Sequence, residues 1–91
     1  MNRQRITIRY EGRVQGVGFR YTAQELARNL GVCGRVTNEL DGSVTLIAEG
    51  PPDRLMELLQ AIQSGRLERF ITAEQTRRTA ATGEFSDFRI T

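Results

Sequence analysis

The stretch Gly12-Arg-Val-Gln-Gly-Val-Gly-Phe-Arg20 ends with two glycines spaced by one residue and an arginine two positions further on. An arginine side chain is a fixed positive fork that can hold two oxygens of one phosphate or carboxylate. Glycines at Gly16 and Gly18 let the backbone approach a ligand closely and let successive N–H groups turn toward one point, as an anion-binding nest requires. The residue types therefore suit anion recognition. Taken alone, the stretch also reads as a tight turn with no ligand.

What the sequence lacks narrows the chemistry further. It has no histidine, and its thirteen basic residues are all arginine. Nucleophile–histidine pairs are excluded, and so are the lysine of a Walker-type loop and a lysine Schiff base. A single cysteine, Cys33, rules out an internal disulfide and a cysteine-based metal cluster, so no metal site and no cofactor are expected. Cys33 itself is expected to pack as a small apolar residue. The dinucleotide-binding fingerprint fails, because the position of its third glycine is Tyr21.

The elements that must position this stretch are legible in the hydrophobic pattern. Ile6, Ile8 and Tyr10 alternate with Thr7, Arg9 and Glu11, the period of a half-buried strand. Phe19, Ala23, Leu26, Ala27 and Leu30 then fall at helical spacing, and Gly31 suits a helix stop. If the helix begins near Arg20, its first N–H groups lack intrahelical partners and lie at the positive end of the helix dipole.

Val32–Asn38 reads as a short strand. Asp41-Gly42 predicts a tight hairpin of type I′, and Val44, Leu46 and Ala48 form the return strand. Gly50-Pro51-Pro52 opens a second helix carrying Leu55, Leu58, Leu59 and Ile62, which ends before Gly65. In the last third, residues 70–75 read as a strand, residues 77–83 as a loop, and Phe85, Phe88 and Ile90 as a terminal strand.

The order β-α-β-β-α-β lets two helices, each with one apolar stripe, cover one face of a mostly antiparallel sheet. That is an α+β ferredoxin-like sandwich, with a short extra strand at the C-terminus and all of residues 1–91 in one domain. Many functions use this fold, so it decides none of them.

Several partner classes can be set aside. The formal net charge is only +2, with arginines interspersed among acids, so no one-signed nucleic-acid surface is expected. The sequence Val17-Gly-Phe-Arg-Tyr21 is similar to the aromatic motif of RNA-binding sheets, but here it opens a helix, and the third strand carries no aromatic residue. No apolar run reaches the roughly 20 residues of a membrane span, and no secretory signal is visible, which points to a soluble cytoplasmic protein.

With these elements in place, the sequence resembles the acylphosphatase family. The resemblance is carried by Gly12-Arg-Val-Gln-Gly-Val-Gly-Phe-Arg20, Gly34-Arg-Val-Thr-Asn38, Asp41-Gly-Ser-Val44, Glu49-Gly-Pro51 and the terminal Phe88-Arg-Ile90. It implies a metal-independent hydrolase of acyl phosphates. The substrate phosphate would be bound by Arg20 and by the backbone N–H groups of Gln15, Gly16, Val17, Gly18, Phe19 and Arg20, and the attacking water would be positioned by Asn38. Without the resemblance, an asparagine before a turn reads first as a local backbone partner.

The implied chemistry agrees with what the composition lacks. An acyl phosphate leaves a carboxylate, which needs no general acid, so positioning and charge stabilisation suffice. Inorganic phosphate is the expected competitive ligand, and a monomer the expected state. The alternative is a non-catalytic phosphate-binding or regulatory module on the same fold.

Three positions depart from the family pattern. Arg35 stands where tryptophan is common, Thr37 where a basic residue is frequent, and Gly65-Arg66 where Gly-Pro often follows the second helix. None of these is expected to touch the residues assigned to chemistry. Glu39, beside Asn38, is expected to be a solvated turn residue rather than a general base. Phe19 is expected in the core, and Tyr21 half-buried at the surface.

Overall fold

A computed structural model describes residues 2–91. The chain runs β1 (Gln4–Gly12), α1 (Phe19–Asn29), β2 (Cys33–Asn38), β3 (Val44–Gly50), α2 (Pro52–Ser64), a 3₁₀ turn (Glu68–Phe70), β4 (Ile71–Ala80) and β5 (Phe88–Ile90). The sheet order is β4-β1-β3-β2-β5. Every neighbouring pair is antiparallel except β2 with β5, which is parallel. The expected ferredoxin-like arrangement and its extra C-terminal strand are both present.

One face of the sheet is apolar because β1 and β3 alternate in register. Ile6 pairs with Ala48, Ile8 with Leu46 and Tyr10 with Val44, and all six are buried. The stripes Phe19–Ala23–Ala27 of α1 and Leu55–Leu58–Leu59–Ile62 of α2 lie over that face. Phe19, 2% exposed, packs against Tyr10 with ring centroids 4.9 Å apart. The start of α1 is therefore fixed by a large core anchor, whose truncation costs about 3–5 kcal/mol in comparable cores.

The structure corrects three sequence expectations. β4 is a ten-residue strand, Ile71–Ala80, where a strand over 70–75 and a loop over 77–83 were expected. It is an edge strand, laddered to β1 from Gln4↔Ala80 to Gly12↔Ile71, and most of its side chains are exposed. A strand with water on both sides shows no alternation, and the charges at Arg77 and Arg78 suit an unprotected edge.

Phe85 lies before the terminal strand rather than in it, with the Arg5 guanidinium 5.2 Å from its ring centre. The hairpin is the third correction. Among the described residues only glycines have positive φ, so Asp41 cannot occupy a type I′ turn. Instead Gly42 N–H donates to Glu39 O, Glu39 N–H donates to Ser43 O, and Gly42 alone takes φ 94°. This is the three-residue loop that closes a turn with a left-handed glycine.

Glu49, at the end of β3, is fully buried on the sheet's other face. It accepts from Arg5 Nε at 2.7 Å, Thr82 N–H at 2.9 Å, Thr82 Oγ1 at 3.0 Å and Gly83 N–H at 3.0 Å. Burial pushes its carboxyl up, but these donors outweigh burial and hold it down at about 2. The carboxylate thereby fastens the segment between β4 and β5 to the sheet.

Candidate active site

The loop between β1 and α1 is fastened at its start by Val14, fully buried, and at its end by Phe19. Between them Gly16 and Gly18 take φ 78° and 79°, a region that costs a non-glycine residue roughly 1–2 kcal/mol. Gly18 is the N-cap of α1. It offers no side-chain cap, and the first turn contains no acidic residue. Among the described residues, none of the N–H groups of Gln15–Arg20 donates to a protein acceptor. A run of uncommitted amides thus sits at the positive end of a helix, where an anion is stabilised.

A cavity of about 130 Å³ opens on this loop, lined by Val14, Gly16, Gly18, Phe19, Arg20, Tyr21 and Asn38. It brings together Arg20 and Asn38, which in the sequence are linked only through a resemblance. Arg20 is half-buried, and its Nη1 donates to Thr91 O at 3.4 Å. No Asp or Glu carboxylate pairs with it among the described residues. Most of the guanidinium's donors therefore have no protein partner.

Asn38 ends β2, opposite Val44 in the hairpin ladder. Its side-chain amide makes no hydrogen bond to protein among the described residues, because other groups satisfy the turn. Asp41 Oδ1 accepts from Ser43 N–H at 2.9 Å and from Ser43 Oγ at 2.6 Å, while Arg9 pairs with its other oxygen at 2.6 Å. The Ser43 donors, followed by Arg9, hold the Asp41 carboxyl below the usual range. The local role open to Asn38 is filled by Asp41, and the Asn38 amide is left at the cavity wall. Glu39 is exposed, and its side chain does not line the cavity.

Two contacts were beyond sequence reasoning. Gln15 was expected to contribute its backbone amide only. Its side chain also reaches the hairpin, where Nε2 donates to Glu39 O at 2.8 Å and to Ser43 O at 2.9 Å. One side-chain amide therefore sets the spacing between the glycine loop and Asn38.

Arg66 was expected to stay clear of the site and does not. Its Nη2 donates to Val17 O at 2.6 Å, and a Cβ on Gly18 would come within 3.2 Å of the same nitrogen. The partners are 49 residues apart in sequence, so no local pattern announces the contact. Thr37 meets Thr91 through their hydroxyls, beside the Thr91 O that Arg20 touches. Arg35 lies with Glu84, Phe85 and Arg89 around a separate cleft. Tyr21 lines the cavity but is 73% exposed, more open than expected. Cys33 is half-buried on the sheet's other face, with its Sγ 3.5 Å from Glu49 O.

The fold and the cleft together define a ferredoxin-like sandwich with an anion-ready loop at the start of its first helix. Comparison with known proteins takes this further. The acylphosphatase family model matches residues 6–90. The acylphosphatase of Salinibacter ruber is 42% identical, with 96% of this chain and 92% of that protein aligned. The acylphosphatase of Thermotoga petrophila is 41% identical over 93% of each. The crystal structure of acylphosphatase from Bacillus subtilis superposes with a TM-score of 0.89 at 33% identity, covering 97% of this chain and 98% of that one. The chain belongs to the acylphosphatase family, and with it to the hydrolases that act on acyl phosphates.

Proposed function

We propose that this chain hydrolyses the carboxyl–phosphate bond of acyl phosphates in a cradle formed by Arg20 and the amides of Gln15–Arg20, with Asn38 positioning the attacking water. The observation that carries the proposal is the cavity itself, which joins Gly16, Gly18, Arg20 and Asn38 while their hydrogen-bonding groups have few or no protein partners.

In this reading the phosphoryl oxygens accept from the loop amides and the Arg20 fork, which offset the negative charge gathered there in the transition state. The Asn38 carbonyl oxygen accepts a hydrogen bond from water and holds it in line with the bond to be broken. The water oxygen bonds to phosphorus as the P–O bond to the acyl group breaks. The carboxylate departs with the bonding electron pair, and both of the water's protons remain with the phosphate product as it forms. Because the leaving group is already a stable anion, the step needs no side chain to protonate it.

The same reading makes inorganic phosphate a competitive ligand and the working form a monomer. The substrates are small soluble acyl phosphates. A cytoplasmic setting suits the single unpaired Cys33. No helix among the described residues is long and apolar enough to cross a membrane.

The test is hydrolysis of benzoyl phosphate in excess chelator by the wild type and by Arg20→Ala and Asn38→Ala. Turnover by the wild type, lost in both folded variants, is the expected result. A wild type that binds phosphate but does not turn over would instead establish the non-catalytic module.

A further inference from the structure

We propose that Arg66 is a positioning residue for the phosphate loop, holding the Val17–Gly18 peptide so that its N–H faces the anion. This rests on the reading of the loop as the phosphate cradle, and it identifies a part of that cradle contributed from outside the loop.

The geometry begins with a trans peptide. No cis bond is present among the described residues, so the Val17 carbonyl and the Gly18 N–H point in opposite directions. The carbonyl faces Arg66, whose Nη2 lies 2.6 Å away. Gly18 lines the cavity and Arg66 does not. Fixing the carbonyl on the outer side turns the amide of the same unit inward, toward the space between Arg20 and Asn38.

Arg66 is itself held in place. Its neighbour Leu67 is 1% exposed, and the turn is closed by Glu68 N–H donating to Gly65 O at 3.2 Å and Phe70 N–H donating to Leu67 O at 3.0 Å. The same turn grips the front of the loop, where Arg13 N–H donates to Phe70 O at 2.9 Å. Residues 65–70 thus attach to the glycine loop at both ends, once by backbone and once by the guanidinium. A loop rich in glycine has the most conformational freedom to lose on binding, and a second attachment removes part of that loss beforehand.

Charge adds to position. Arg66 is exposed, but no carboxylate pairs with it among the described residues, so no acidic side chain competes with the Val17 carbonyl for its guanidinium. A cation bonded to a peptide oxygen polarises the N–H of that peptide, which strengthens the bond the N–H makes to a phosphoryl oxygen. Because this favours bound substrate and transition state alike, the effect belongs in KM and in phosphate affinity rather than in kcat.

The experiment compares wild type with Arg66→Ala and Arg66→Lys. It measures kcat and KM for benzoyl phosphate, the Kd of inorganic phosphate from the Gly18 amide resonance, and Tm without phosphate. For Arg66→Ala, KM and phosphate Kd are expected to rise about tenfold together, with kcat within about twofold. The phosphate-induced shift of the Gly18 amide should shrink. Arg66→Lys, which keeps a charged donor, should recover part of the affinity, and it serves as the test variant should Arg66→Ala not fold. A lowered Tm with KM, Kd and the Gly18 shift unchanged would overturn the proposal and leave Arg66 a structural contact. So would a fall in kcat at constant Kd. If the wild type itself neither binds phosphate nor turns over, the cradle reading fails as well; if it does both and Arg66→Ala matches it, only the role of Arg66 falls.

Discussion

The two helices lie on the same face of the sheet and begin in opposite ways. α2 opens with Pro52, which has no N–H to leave bare, and carries Asp53 in its first turn. The proline removes a donor and the acid answers the positive end of the helix dipole. α1 opens from Gly18 with neither device, and its acid-free first turn adjoins the uncommitted amides of the loop. One helix neutralises its own start; the other leaves its start open. The measures that stabilise α2 are the ones that would block a site at α1.

That contrast can be broken deliberately. The largest effect is expected at the charge that completes the α1 cradle. Arg20→Ala should lower kcat/KM for benzoyl phosphate by roughly 10³-fold or more, the range seen when a transition-state donor or phosphate-directed arginine is removed. Equal activity in the variant would show that the open helix start works without its arginine.

Acid should act strongly on the scaffold that holds both helices. Asp53 sits exposed in the first turn of α2, whereas Glu49, a little upstream, is a buried carboxylate gripped by four donors. Its folded value of about 2 lies below the ordinary value of 4.5. Its contribution is therefore fully present above about pH 4.5 and is lost as pH falls toward 2. Tm should decline across that window, and Glu49→Gln should flatten the decline while lowering Tm at neutral pH. A Glu49→Gln profile parallel to that of the wild type would remove this carboxylate from the account.

A smaller effect is expected from giving α1 what α2 has. Tyr21→Glu places an acid in the first turn of α1 at an exposed position. The change should raise Tm in phosphate-free buffer by an amount equivalent to about 0.3–1 kcal/mol while weakening phosphate binding about tenfold. Unchanged phosphate affinity would mean that the helix start contributes little to the cradle. The smallest change is the converse, Asp53→Asn, which should lower stability by no more than about 0.3–1 kcal/mol and leave phosphate binding untouched, as read by melting and titration.

The contrast also separates what sequence could and could not disclose. The apolar stripes of α1 and α2 and the alternation of β1 and β3 are local patterns. They sufficed for the sandwich because its core is built from them. β4 escaped because an exposed edge strand is held by its ladder to β1 and has no buried side to leave a pattern. Gly16, Gly18 and Arg20 were legible because a loop that exposes its amides needs unusual residues close together. Asn38 comes forward only through resemblance, since its freedom from the turn depends on Asp41 and Gln15 satisfying the turn in its place. Arg66 was placed outside the site because its partner is set by tertiary packing.

The Gln15 side chain carries one further consequence, for the response to salt. The two bonds from its amide to Glu39 O and Ser43 O join neutral groups, so mobile ions scarcely touch them. In the proposed function, capture of the substrate by Arg20 and the loop is an attraction between charges, which dissolved ions would weaken. Binding and catalytic geometry should therefore part company as ionic strength rises. With added potassium chloride, KM for an acyl phosphate should climb while kcat stays level, because the separation between the glycine loop and Asn38 is set by a bond that carries no charge.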